Sequence, residues 1–138
     1  MTNWRTIDDK GTFALSDPQR YNYLYFPLVN ERGLVAAVTP TLHGDVKAGQ
    51  HRFLTLPVSA EDLHISRAAR NFWVHVEGHG AWSATGNSAR QMAQRFVAPD
   101  AEQVALRAGF LWHQVTRHDP AVGLQAEITS VAPMGEEL

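Results

Sequence analysis

His75, Glu77 and His79 stand at alternate positions near the middle of a 138-residue chain. On a continued strand all three side chains would share one face, and two imidazoles with a carboxylate can ligate zinc or iron. Gly78 and Gly80 interrupt that spacing where a tight reversal needs glycine, so a solvent-facing row on a hairpin accounts for the same residues. His75-Val76-Glu77 also matches the H-x-E half of a zinc deaminase signature. The P-C-x-x-C half needs cysteine, and the chain has none. His43 and Asp45 could form a base and its orienting carboxylate, but no G-x-S-x-G elbow supplies a nucleophile. A turn in which Asp45 bonds nearby backbone is the simpler account. Gly78-His79-Gly80 lacks the later glycine of a dinucleotide fingerprint, and no P-loop occurs.

The densest polar and aromatic stretch is residues 57–85, PVSAEDLHISRAARNFWVHVEGHGAWSAT. Arg67 and Arg70, three apart, could present a fork to a phosphate or carboxylate, or could fix the loop through backbone carbonyls. Trp73 and Trp82, on the two arms of one hairpin, are candidate stacking platforms, since a flat aromatic face suits the C–H face of a pyranose. Core or interface packing is the expected role of Trp4 and Trp112.

The elements that position these residues read as short strands. Phe72, Val74 and Val76 alternate with Trp73, His75 and Glu77, and Ala81 to Thr85 return after the glycines. Ser59 followed by Glu61 and Asp62 resembles a helix start. Further strands are expected at residues 12–15, 21–26 (ended or bulged by Pro27), 34–39 and 51–56, each closed by a turn cluster or proline. A last long hairpin is expected from residues 103–117 and 124–131, reversing over His118-Asp119-Pro120. The one persuasive helix is at 88–96, capped by Ser88, with Ala89, Met92 and Phe96 at helical spacing. Short strands punctuated by Gly and Pro predict an all-β antiparallel sandwich with one short helix. The sequence stops where a further strand would pair with the last one, so either that strand is an edge or the chain is part of something longer.

Composition narrows the function classes. The length predicts a single domain with its own core. A net charge of −2 offers no electrostatic footprint for nucleic acid or an anionic membrane. The absence of cysteine removes disulfides, thiolate zinc sites and cysteine nucleophiles. No signal peptide or membrane span is legible, and a soluble cytoplasmic protein is expected.

Four blocks, YNYLYFPLVNERG, VTPTLHGDVKAGQ, PVSAEDLHISRAARNFWVHVEGHGAWSATGNSA and GLQAEITSVAP, extend over nearly the whole chain from Trp4. Together they resemble the amino-terminal region of the inverting disaccharide phosphorylases of glycoside hydrolase family 94 (formerly glycosyltransferase family 36), the cellobiose, laminaribiose and chitobiose phosphorylases. The resemblance implies a galactose-mutarotase-like supersandwich, with a catalytic (α/α)6 barrel expected downstream. It implies β-linked glucosides as substrates, inorganic phosphate as co-substrate, no cofactor, and a homodimer. Phosphate attacks the anomeric carbon with inversion while one carboxylic acid protonates the leaving oxygen. That acid and the phosphate site belong to the barrel, so no catalytic residue and no metal ligand is carried over to this chain. The EDLHISRAARNFW loop would contact the sugar site or the subunit interface, through Asp62, His64, Arg67, Arg70 and Trp73. A free-standing carbohydrate-binding sandwich using Trp73 and Trp82 is the alternative.

Overall fold

The computed structural model describes residues 3–21, 24–62 and 69–135. Its strands are antiparallel and fall into three sheets. The largest has the order β1(Trp4–Thr6), β2(Phe13–Ser16), β9(Gln103–Gly109), β10(Trp112–Asp119), β11(Leu124–Val131). A second contains β3(Phe26–Val29), β4(Leu34–Val38), β5(Val46–Ala48) and β6(Arg52–Phe53) in sequence order. The hairpin β7(Trp73–Val76), β8(Gly80–Ser83) forms the third, followed by helix α1(Ala89–Val97). The expected all-β, sandwich-like fold with one short helix is what the chain adopts. No helix among the described residues is long and apolar enough to cross a membrane.

The core lies between the two larger sheets. Leu15, Val104, Leu106, Ala108 and Val115 project from the five-stranded sheet, with Phe13 and Phe26 packed against them. Leu28, Ala36, Val38 and Leu42 form a second cluster, which Ile128 of β11 joins from the opposite sheet. Phe26 touches both clusters and so ties the layers together. Full burial of a side chain such as Leu28 or Leu106 contributes roughly 2–3 kcal/mol.

Several expectations need correction. Residues 103–117 are two strands, not one, because the chain reverses at Phe110 and Leu111, where Leu111 takes a left-handed φ of 59°. Neither residue is a usual turn former, which is why the reversal is invisible in the sequence. The predicted strand at 21–26 begins only at Phe26; Pro18–Tyr21 is a 3-10 turn, and residues 22 and 23 lie outside the described residues. Pro27 sits inside β3 rather than ending it, tolerated because β3 is an edge strand. The helix start after Ser59 amounts to one 3-10 turn, Ala60–Asp62. Trp4 is 57% exposed at the edge of its sheet, not in the core.

Helix α1 is capped as expected, the Ser88 hydroxyl accepting from the Gln91 N–H at 3.2 Å. Its orientation is the reverse of that expected from its apolar spacing. Gln91 is buried at 1% exposure, whereas Met92 is half exposed and Phe96 almost fully so. Hydrogen bonds to a polar layer, described next, outweigh the apolar stripe in deciding which face turns inward.

Candidate functional site

Strand β10 carries His113, Val115, Arg117 and Asp119 on its inner face, all buried. A strand half-buried by alternation ordinarily points apolar residues inward. Here three of the four are polar, and the loop at 83–88 and α1 close over two of them. Every guanidinium nitrogen of Arg117 is used. Nε donates to the Ala84 carbonyl at 3.1 Å, Nη2 to the Thr85 carbonyl at 3.1 Å, and Nη1 to Glu102 Oε2 at 2.5 Å. Burial pushes the Arg117 pKa down, and the Glu102 carboxylate opposes the shift. Gln91 is equally committed. Its Oε1 accepts from the Ser83 N–H and the Ser88 hydroxyl, while its Nε2 donates to the Ser83 carbonyl and to Glu102.

A second pair completes the layer. Arg90 donates to Asp119 Oδ2 at 2.5 Å, and Asp119 Oδ1 accepts the Ala121 N–H at 3.1 Å. Burial alone would push the Asp119 carboxyl up, but the bonded Arg90 guanidinium outweighs it and holds the pKa below the ordinary value. Arg95 donates to the Gly86 carbonyl at 2.7 Å. The space left between Gln19, Gln94, Arg95, Glu102 and Arg117 is about 10 Å³, at the lower limit for a single water. This layer has no room for a substrate. It clamps the helix and the β7–β8 hairpin onto the large sheet.

Gly86 is where the clamp closes. Its φ is +78°, and a Cβ there would fall 2.6 Å from the Arg117 Cζ. Gly86→Ala is expected to cost about 2 kcal/mol through left-handed strain and displaced guanidinium bonds, read as a lowered urea midpoint with unchanged slope. A midpoint equal to that of the parent chain would show that the loop packs less tightly than described.

The clamp fixes the hairpin that carries the predicted site. Ser83 Oγ donates to Asn71 Oδ1 at 3.0 Å and accepts from the Asn87 N–H, and the Ala84 N–H donates to the Phe72 carbonyl at 2.9 Å. Trp73 pairs with Ser83 and Val74 with Trp82, so Trp73 and Trp82 project from opposite faces. Trp73 is 52% exposed, with Phe72 beside it at 64%, whereas Trp82 is 2% exposed. A joint indole platform is therefore not formed; the alternation of a short strand separates the two rings. Among the described residues, Trp82 Nε1 has no hydrogen-bond partner.

The remaining candidates scatter. Asp62 is exposed and accepts the Ser59 hydroxyl at 3.0 Å. His64 and Arg67 lie outside the described residues. The Arg70 N–H donates to the Leu42 carbonyl at 2.9 Å. Its guanidinium turns inward: Nη2 is buried without a partner among the described residues, burial lowers its pKa, and its charge is felt by His113. An outward fork at Arg70 is thus not what the fold presents. His75 ends up across from Ala81 on β7, while Glu77 and His79 fall in the turn, so the alternating trio is split as Gly78 and Gly80 suggest. His43 Nδ1 lies 2.8 Å from the Thr41 hydroxyl, and Asp45 Oδ2 accepts the Val58 N–H at 3.0 Å.

The buried charges of β10 escaped the sequence reading because His118-Asp119-Pro120 looks like a turn. The signal that could have revealed them is the alternation of Val115, Arg117 and Asp119 with Gln114, Thr116 and His118. Comparison with protein-family models finds no match, and no curated protein matches the chain.

Proposed function

We propose that this chain is the amino-terminal sandwich portion of an inverting β-glucoside disaccharide phosphorylase, serving as scaffold, dimerisation element and one wall of the sugar site in a cytoplasmic enzyme. The observation that carries the reading is the β7–β8 hairpin. It is clamped to the sheets by buried hydrogen bonds, yet holds Phe72 and Trp73 in solvent within the block that resembles the phosphorylase loop. Exposed aromatics on a rigid support are the composition of a carbohydrate contact. The two carboxyls with shifted ionisation, Asp8 and Asp119, are both held low, opposite to the raised value that a general acid needs. The resemblance itself assigns the proton donor of phosphorolysis to the downstream barrel.

Trp73→Ala, tested in the complete natural gene product, is expected to raise KM for a β-linked glucose disaccharide about tenfold, the equivalent of ~1.4 kcal/mol, with kcat nearly kept. An unchanged KM would remove Trp73 from the sugar site.

A further inference from the structure

The outer face of the five-stranded sheet holds a different combination of groups. Arg5 pairs with Ala14, Ala14 with Arg107, Arg107 with Gln114 and Gln114 with Thr129, so these five side chains form one row across the sheet. The two arginines rise on either side of Ala14, whose methyl group makes a low floor. Above it are adjoining clefts of about 450 and 430 Å³, one lined by Arg5, Thr6, Ile7, Ala14 and Arg107, the other reaching Asn3, Ser16 and Ala105. Both are open to solvent, so a ligand here would lie along the sheet surface rather than be enclosed. Among the described residues, no carboxylate lines either cleft. Neither arginine is in an ion pair among the described residues. Asp8 lies close enough for the Arg107 charge to help lower its pKa, but its carboxylate is engaged by the Lys10 and Thr12 N–H groups.

On the same face, two residues along β10 from Gln114, stands Trp112, across the hairpin from Gly109. Its indole lies directly on the glycine: a Cβ at Gly109 would fall 2.9 Å from the Trp112 Cε2. Gly109 is therefore the residue that lets the ring settle on the outer face, where it stays part-exposed. The neighbouring Gln114 Nε2 donates to Thr129 Oγ1 at 3.1 Å, adding amide and hydroxyl groups to the surface. Glu127, on β11, pairs with Thr116 of Trp112's own strand and lies two strands from Arg107.

We propose that this face binds an acidic glycan, with one pyranose stacked on Trp112 and a carboxylate of the chain held between Arg5 and Arg107. The arginine forks suit bidentate carboxylate recognition, and the indole suits the apolar face of a sugar ring. Trp112 and Arg5 stand three strand spacings and two residues along the strand apart, roughly 16 Å, so the ligand is an oligosaccharide rather than a single sugar. This surface is separate from the Phe72–Trp73 face and does not rest on the phosphorylase reading.

Calorimetry on the full chain with tetragalacturonate, cellotetraose and inorganic phosphate tests it. Tetragalacturonate is expected to bind, about tenfold more weakly in Arg107→Gln and more weakly again as salt is raised, with cellotetraose binding poorly. Arg5 and Arg107 are both exposed, so Arg5→Gln and Arg107→Gln should fold normally, checked by an unchanged melt. Gly109→Ala, which displaces the indole, should weaken the acidic glycan without removing the salt dependence. Equal binding of the neutral tetramer, phosphate alone binding as tightly as the tetragalacturonate, no binding, or indifference to Arg107→Gln would each overturn the proposal.

Discussion

Arg117→Ala is expected to destabilise the fold by roughly 3–5 kcal/mol, the cost of leaving a buried carboxylate without its cation. Arg117 is 2% exposed and Glu102 10% at their side chains, so solvent offers neither a substitute. The Ala84 and Thr85 carbonyls lose their donors at the same time. For a domain of this size that loss corresponds to a melting temperature lower by about 10–15 °C. The uncompensated charge, rather than the missing contact, carries most of the effect. Arg117→Met combined with Glu102→Gln removes the charge while keeping an acceptor for Gln91, and should recover at least half of the loss. A double variant as unstable as Arg117→Ala would mean that the backbone carbonyls, not Glu102, depend on the arginine.

His113 should make stability fall as the solution is acidified. Its imidazole is fully buried, neither nitrogen has a partner among the described residues, and its ring lies 5.0 Å from that of Phe26. Burial, reinforced by the nearby Arg70 charge, pushes its pKa down to about 4 from an ordinary value of 6.5. Above the ordinary value the group is neutral in both states, and its contribution is complete. Between 6.5 and about 4 the unfolded chain takes up a proton that the native fold refuses, so stability declines with pH across that window. A full traverse is worth about 3 kcal/mol. Asp8 and Asp119, both lowered, add their losses at lower pH, below their ordinary value of 3.8. Urea titrations at about pH 7 and about pH 4.5 should show the decline in the parent chain and a flattened profile in His113→Phe. An equal decline in both would place the titrating group elsewhere.

The strands that alternate cleanly were legible in the sequence. Residues 34–38, 73–76 and 124–131 emerge close to their expected limits, because one face of each meets the core and proline or glycine stops them. The helix was legible for its cap, Ser88, but not for its orientation. Apolar spacing pointed Met92 and Phe96 inward, whereas Gln91, Arg90 and Arg95 find buried acceptors that only the folded sheet supplies. The Phe110–Leu111 reversal was hidden for a local reason, a leucine in a conformation that glycine normally takes. The candidate site was legible as a stretch rather than as a constellation. Residues 57–85 do carry the exposed aromatics, but strand alternation separates Trp73 from Trp82, and Arg70 turns toward His113. The outer-face row escaped because its members come from β1, β2, β9, β10 and β11, which register alone brings together.

The most direct measurement of the functional account is an assay of the natural gene product that contains this chain, supplied with cellobiose or laminaribiose in the presence and absence of inorganic phosphate. The account predicts phosphate-dependent cleavage that releases α-glucose 1-phosphate, the inverted product of a β-glycoside. Cleavage by water alone, or no cleavage of either disaccharide or of other β-linked glucosides with phosphate present, would contradict it.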